Sequence, residues 1–268
     1  MLKFYTMYPF IGTCLLVVLG ANAVIAQPEM QHFYTAGQCR AVQTQYKKAG
    51  VRHVETLIQS GVDTTALIER STELYNENGQ MTAMILTQDG IAHDTVAYSY
   101  GADGALLTQI PTDAQSYSVG YMYDAEQRLS EQLVSSAEAR EYRFMYDQQG
   151  RLSLKIGKAA FPITNDSTDE VTVIWRDVDF YHFYYDKKGL LIQKEVEEMG
   201  STPYTALYEY DAKQQIRTEN IKIRTEGGKL IDSKHRTYTY APNGMLTRID
   251  HKDLLGDESY IMRRVYTR

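Results

Sequence analysis

The sequence predicts an all-β protein: a long antiparallel meander of about seven tyrosine-aspartate hairpins, curled or open, behind a small N-terminal helical cap. Three observations predict it. A unit of the form Tyr-x-Tyr-Asp-x-x-Gly recurs along most of the chain, and an aliphatic residue follows two positions after the glycine. The chain also carries 22 tyrosines in 268 residues, many at alternating positions, which is the spacing of one face of a strand.

The clearest unit, at residues 142–156, reads Tyr-Arg-Phe-Met-Tyr-Asp-Gln-Gln-Gly-Arg-Leu-Ser-Leu-Lys-Ile. Asp147 suits the first position of a type I turn because its carboxylate can accept main-chain N–H groups, and Gly150 can take the left-handed conformation that closes the turn with a one-residue bulge. That register sets Asp147 opposite Arg151 and Tyr146 opposite Leu152. It also predicts Phe144 near Leu154 and Tyr142 near Ile156, with the apolar pairs on one face of the ribbon.

From the start of the chain, residues 1–26 read as a signal peptide: Lys3, a broadly apolar run over residues 11–25, and a small-x-small ending at Ala26. The run is too short and too interrupted by Asn22 for a transmembrane anchor. Beyond the leader one cysteine remains, Cys39, so no internal disulfide can form. It reads as buried or inert, with pairing between molecules left open. Residues 27–70 form an N-terminal segment in which residues 36–58 permit one or two short amphipathic helices broken at Gly50, although residues 50–58 also suit a strand.

Residues 71–268 form the repeat domain. Its turns centre on Gly79, Gly104, Gln127, Gly150, Gly189, Gln214 and Gly244, mostly 23 to 25 residues apart. Asp124, Asp147, Asp186 and Asp211 open turns that close at Gln127, Gly150, Gly189 and Gln214; Gly244 closes a variant that begins at an alanine. Glutamine in the left-handed position costs about 1 kcal/mol. The predicted cross-hairpin pairs are Tyr75 with Met81, Tyr100 with Leu106, Tyr123 with Leu129, Tyr146 with Leu152, Tyr185 with Leu191, Tyr210 with Ile216, and Tyr240 with Leu246. Two intervals are longer. One holds residues 157–176 and predicts a projecting loop followed by a strong strand at 171–175; the other carries Gly227-Gly228 and predicts a further hairpin.

Most tyrosines suit cross-strand packing, with some rings free to stack on a sugar or an extended peptide. Trp175, Tyr181 and Tyr184 lie beside the longest insertion, and Asp179 with His182 completes the densest polar constellation there. These five residues are the candidate binding site.

The Tyr-x-Tyr-Asp-x-x-Gly-Arg-Leu pattern resembles bacterial RHS/YD-repeat proteins and their secreted relatives. Residues 142–152 match it well, and weaker copies extend over about 75–250. The resemblance implies a long β-sheet that spirals into a shell or serves extracellular attachment. It supplies no catalytic residues, and the chain lacks a recognisable toxin domain or self-cleaving motif after the repeats.

Lysines and arginines are dispersed and the net charge is −6, which argues against nucleic acid as a partner. No nucleophile elbow, phosphate loop or zinc-protease helix motif occurs. No metal site is assigned; Asp166, Asp169 and Glu170 lack the alternation of a calcium loop. The sequence therefore points to a secreted or periplasmic binding or structural protein without cofactor, not integral to a membrane, contacting a cell-envelope protein or a glycan. Association with the outer membrane stays open, and a carbohydrate-active enzyme with carboxylates on the sheet face is the alternative.

Overall fold

Turn chemistry sets the architecture. At residues 147–151 the Gly150 N–H donates to the Asp147 carbonyl at 2.9 Å and the Asp147 N–H donates to the Arg151 carbonyl at 2.8 Å. The Asp147 carboxylate accepts the N–H groups of Gln149 and Arg151, both at 2.9 Å. All seven marked turns place their closing residue at positive φ, including Gln127 at 61° and Gln214 at 63°.

In a computed structural model the described residues are 36–267, apart from 62–66, 89–90, 113–117, 136–138, 165–170, 226 and 257–258. The expected signal peptide and the polar 165–170 segment fall outside them. One helix, α1 (Ala36–Ala49), leads through Gly50 into sixteen strands. They are β1 (His53–Ser60), β2 (Leu67–Tyr75), β3 (Met81–Gln88), β4 (Ile91–Tyr100), β5 (Leu106–Pro111), β6 (Ser118–Tyr123), β7 (Leu129–Ser135) and β8 (Arg140–Tyr146). The second half comprises β9 (Leu152–Thr164), β10 (Val171–Tyr185), β11 (Leu191–Glu197), β12 (Tyr204–Tyr210), β13 (Ile216–Arg224), β14 (Leu230–Tyr240), β15 (Leu246–Asp253) and β16 (Tyr260–Thr267).

Each strand pairs antiparallel with its neighbours in the chain, and β1 pairs with β16 from His53↔Thr267 to Ser60↔Tyr260. The sheet is thus a closed barrel, and the expected meander of about seven hairpins, curled or open, is corrected. The physical reason is specific. The seven marked turns account for β2 to β15, while β1 and β16 carry no marked turn and so were invisible to the repeat count. Those two flanking strands close the cylinder, and sheet twist with removal of both open edges favours closure.

All seven predicted tyrosine–aliphatic pairs are present, each beside a one-residue bulge. The bulge shifts the outer part of the clearest hairpin by one residue: Phe144 faces Lys155 and Tyr142 faces Gly157, in place of Leu154 and Ile156. The enlarged interval near Gly228 does form a hairpin between β13 and β14. Residues 157–164, expected in a loop, continue β9 as strand.

The marked turns all lie at one end of the barrel, and α1 packs there. Cys39, Val42 and Tyr46 are buried, and the Tyr46 ring meets the Tyr75 ring edge-on at 4.8 Å. Arg40 donates to the Asp103 carbonyl and to the Gln127 side chain, both at 3.0 Å, while Gln43 donates to the Gly104 carbonyl at 2.8 Å. Burial pushes the Cys39 thiol up to about 12, which makes it an inert core residue.

Inside the wall, the second tyrosine of a unit does more than pack across its own hairpin. Its hydroxyl donates to the main-chain oxygen of the aliphatic residue in the preceding unit: Tyr123 to Leu106 at 3.0 Å, Tyr146 to Leu129 at 2.8 Å, Tyr185 to Leu152 at 2.9 Å and Tyr210 to Leu191 at 2.7 Å. Tyr266 of β16 repeats the contact on Leu246 at 2.7 Å, next to the closing seam. Arg128 and Arg151, after their turns, lie over the rings of Tyr146 and Tyr185 at 4.7 and 4.8 Å.

Candidate functional site: the projecting ribbon and its buried base

Strands β9 and β10 are the longest in the barrel, at 13 and 15 residues. β8 follows β9 only as far as Arg140↔Ala159, and β11 follows β10 only as far as Phe180↔Glu197. Beyond those points, among the described residues, β9 and β10 pair as strands only with each other up to Thr164↔Val171, with one further contact at the base from the Ala160 N–H to the Ala139 carbonyl at 3.4 Å, so they project from the end opposite α1 as a two-stranded ribbon. Alternation puts Pro162, Val173 and Trp175 on the side continuous with the outer wall, and Phe161, Ile163 and Ile174 on the other. Val173 is 55% exposed, Trp175 47% and Ile163 46%.

The base of this ribbon is a polar node sealed inside the wall. Asp179 is wholly buried; its carboxylate accepts the Arg140 guanidinium at 2.6 Å and the Met199 N–H at 3.1 Å. Gly157 opposite makes room for it, since a Cβ there would stand 2.7 Å from both the Asp179 carboxylate and the Tyr142 ring. The Tyr181 hydroxyl donates to the Glu198 carboxylate. Lys155 places its ammonium over the rings of Tyr142 and Tyr181, at 4.0 and 4.5 Å. Burial, then the Asp179 carboxylate, pushes the Tyr142 phenol up, so the node holds neutral tyrosines among compensated charges.

The five sequence-derived candidates therefore occupy three environments. Trp175 is exposed on the ribbon; Asp179 and Tyr181 face inward at its base; His182 and Tyr184 face outward on the barrel wall, where the Tyr184 hydroxyl donates to Glu195 at 3.0 Å. At about 3.3 Å per residue, Trp175 and Tyr184 lie too far apart along β10 to touch one small ligand. Asp179 is committed to Arg140 and presents no carboxylate to solvent. The partners on β9, Phe161 to Ile163, lie in the interval expected as loop; their signal in the sequence is the uninterrupted apolar run from Ala159 to Ile163.

A second buried cluster lies across β11 to β16. Glu219 accepts Arg236 at 2.9 Å and the Tyr238 hydroxyl at 2.8 Å, and Arg236 also donates to His251 Nδ1 at 3.0 Å. The His251 ring stacks on Tyr260 at 4.3 Å. Burial alone would raise the Glu219 carboxyl; Arg236, the Tyr238 hydroxyl and Lys194 outweigh it and hold it below the usual range. Burial and then the cations Arg236 and Lys234 press the His251 imidazole down to about 4. Across the seam, Glu73 and Arg264 form a fully buried pair at 2.7 Å, and the Tyr75 hydroxyl donates to Glu73 at 2.6 Å. Among the described residues no group of His, Cys, Asp and Glu is arranged to hold a metal.

The outer wall carries charged residues among exposed apolar ones such as Met122, Leu133, Met145 and Val265. Glu55 pairs with Arg70, Arg143 with Glu141, and Arg248 with Asp250, and Glu209 and Arg263 are exposed between them. A lipid-facing barrel instead presents an unbroken apolar band. No helix among the described residues is long and apolar enough to cross a membrane.

Fold and site together define a closed antiparallel barrel of tyrosine–aspartate hairpins with a buried ionic interior and one projecting ribbon. The chain belongs to the Teneurin YD-shell family, whose sequence profile matches residues 44–221. Among solved structures it is similar to a porin-like protein from Bacteroides uniformis, with a TM-score of 0.50 and 11% identity over 81% of this chain and 98% of that one. That likeness shows the fold alone. Matches to the toxin assembly TcdB2-TccC3-TEV (TM-score 0.26, 17% identity, 77% of this chain) and to the Photorhabdus luminescens Tc holotoxin pore (0.27, 16%, 80%) are too low to carry an argument. This chain spans 13% of each of those toxin chains. No curated protein sequence matches it.

Proposed function

We propose that the protein is an exported binding protein, secreted or periplasmic, that contacts a cell-envelope protein or a glycan through the β9–β10 ribbon. Residues 1–26 act as its export signal in this reading, residues 27–70 as the N-terminal segment, and residues 71–268 as the repeat domain. The observation that carries the proposal is the ribbon itself: it extends beyond the paired wall and exposes Trp175 and Val173 on one side and Ile163 on the other. Exposed aromatic and β-branched groups on a protruding element mark a recognition surface, because a monomer gains nothing by leaving them in water. The charged outer wall supports a water-facing barrel, and the Asp179–Arg140 node fixes the ribbon to it.

The test is a glycan array together with a pull-down from envelope extracts, comparing the protein with its Trp175→Ala and Tyr184→Ala variants. Trp175→Ala should abolish capture while the far-UV spectrum and melting temperature are unchanged, and Tyr184→Ala, on the wall, should leave capture intact. Equal capture by all three proteins would remove the ribbon from the function.

A further inference from the structure

We infer that the ribbon pairs with the ribbon of a second copy of this chain, edge to edge through β10, and that the contact surface proposed above is completed only in that dimer. The inference rests on the reading of the ribbon as the contact element and adds what covers its open edge.

Three features lead to it. First, closure of the barrel pairs every strand on both sides along the wall, but among the described residues no strand lies against the outer edge of β10 before Phe180. A strand edge is a row of N–H and C=O groups, and another strand is what satisfies such a row. Second, the two edges of the ribbon differ. β9 carries Pro162, which lacks an N–H and blunts its edge. The β10 edge carries Val-Thr-Val-Ile-Trp at residues 171–175, without proline, glycine or charge, and of strong strand propensity. Charges bracket the run, Asp169 and Glu170 before it in the sequence and Arg176 and Asp177 after it, and none falls within it.

Third, that edge is complementary to itself. In a two-fold antiparallel pairing centred on Ile174, Val173 of each copy faces Trp175 of the other, and Thr172 faces Arg176. Facing residues share a side of the sheet, so two aromatic–β-branched pairs form on the outward side, and no like charges oppose one another. The result is a four-stranded sheet whose outward side presents two Trp175 rings flanking two valines, with Pro162 at each margin. One ribbon alone offers a single tryptophan on a strip two strands wide.

Analytical ultracentrifugation and disulfide trapping test the pairing on the purified protein. Ile174→Cys places two thiols at the symmetry axis, where paired Cα atoms stand about 5 Å apart, within disulfide range. It should trap a covalent dimer under mild oxidation, whereas Met145→Cys, exposed on the barrel wall, should not; the native Cys39 is buried and does not compete. Thr172→Lys sets a lysine against Arg176 of the second copy twice per dimer and should weaken dimerisation about tenfold. Adding Arg176→Glu should restore it. A monomer at every concentration, a dimer indifferent to Thr172→Lys, or equal trapping at Ile174→Cys and Met145→Cys would overturn the inference. A dimer that forms as described while Trp175→Ala leaves envelope capture unchanged would support the pairing and remove only the binding reading.

Discussion

His251 is neutral in the fold because its surroundings oppose a proton: it is buried, Arg236 and Lys234 stand close, and Asp253 and Glu219 only partly offset them. Its folded value near 4 lies below the ordinary imidazole range, so between about pH 6.5 and 4 the unfolded chain binds the proton more readily. The His251 contribution to stability should therefore be lost as pH drops through that window, by on the order of 3 kcal/mol. Urea unfolding of the protein against His251→Gln, which keeps an acceptor for Arg236, should show a steeper loss between those pH values in the former. The partner carboxylate gives a comparable effect. Glu219→Ala leaves the Arg236 guanidinium buried without its counter-ion and should cost about 3–5 kcal/mol by chemical denaturation. These charges were legible in one respect. Counting back by twos from each marked or seam tyrosine gives the inward parity, and Glu73, Arg236 and Arg264 fall on it. What the sequence withheld was which inward charge meets which, because Glu73 and Arg264 are joined only by closure of the barrel.

Hairpins are the elements the sequence displays most openly. Asp147, Gly150 and the tyrosine–leucine offset specify turn, bulge and register within a dozen residues, so local chemistry suffices. The glycines nevertheless do unequal work. At Gly150 an added Cβ would meet nothing within 4 Å, whereas at Gly79 it would stand 2.0 Å from the Gln43 carbonyl of α1. Gly150→Ala should cost only the left-handed strain, about 1 kcal/mol, and Gly79→Ala should cost distinctly more by also displacing the helix. Denaturant midpoints of the two variants give the comparison directly. Gln214 sits at φ 63° in the same role, so Gln214→Gly should raise stability by up to about 1 kcal/mol. The site was less legible than the hairpins. Trp175 stood out by type and position, but the strands that flank it end at Arg140 and Glu197, and no local pattern announces that a neighbour stops. Asp179 and His182 stand close in sequence, but they lie three residues apart on a regular stretch of β10, so alternation turns them to opposite sides of the wall.

At the scale of the molecule, closure decides what the repeat becomes. A seven-hairpin count is compatible with an open sheet, and only the pairing of two unmarked strands makes it a barrel. Closure also encloses the Glu73–Arg264 and Glu219–Arg236 ion pairs inside the wall. Because the ribbon leaves the wall beyond Ala159 and Asp179, replacing residues 160–175 with a tight turn should leave the melting transition cooperative and within about 1 kcal/mol of the parent, while envelope capture is lost.

The tyrosine hydroxyls have a consequence for how such a molecule comes apart. Stacked repeats with free ends fray from the outermost unit inward. Here the pairing of β1 with β16 leaves no unit outermost, and the phenols of Tyr123, Tyr146, Tyr185, Tyr210 and Tyr266 each fasten one ribbon to the one before it, so none has a free end from which to peel.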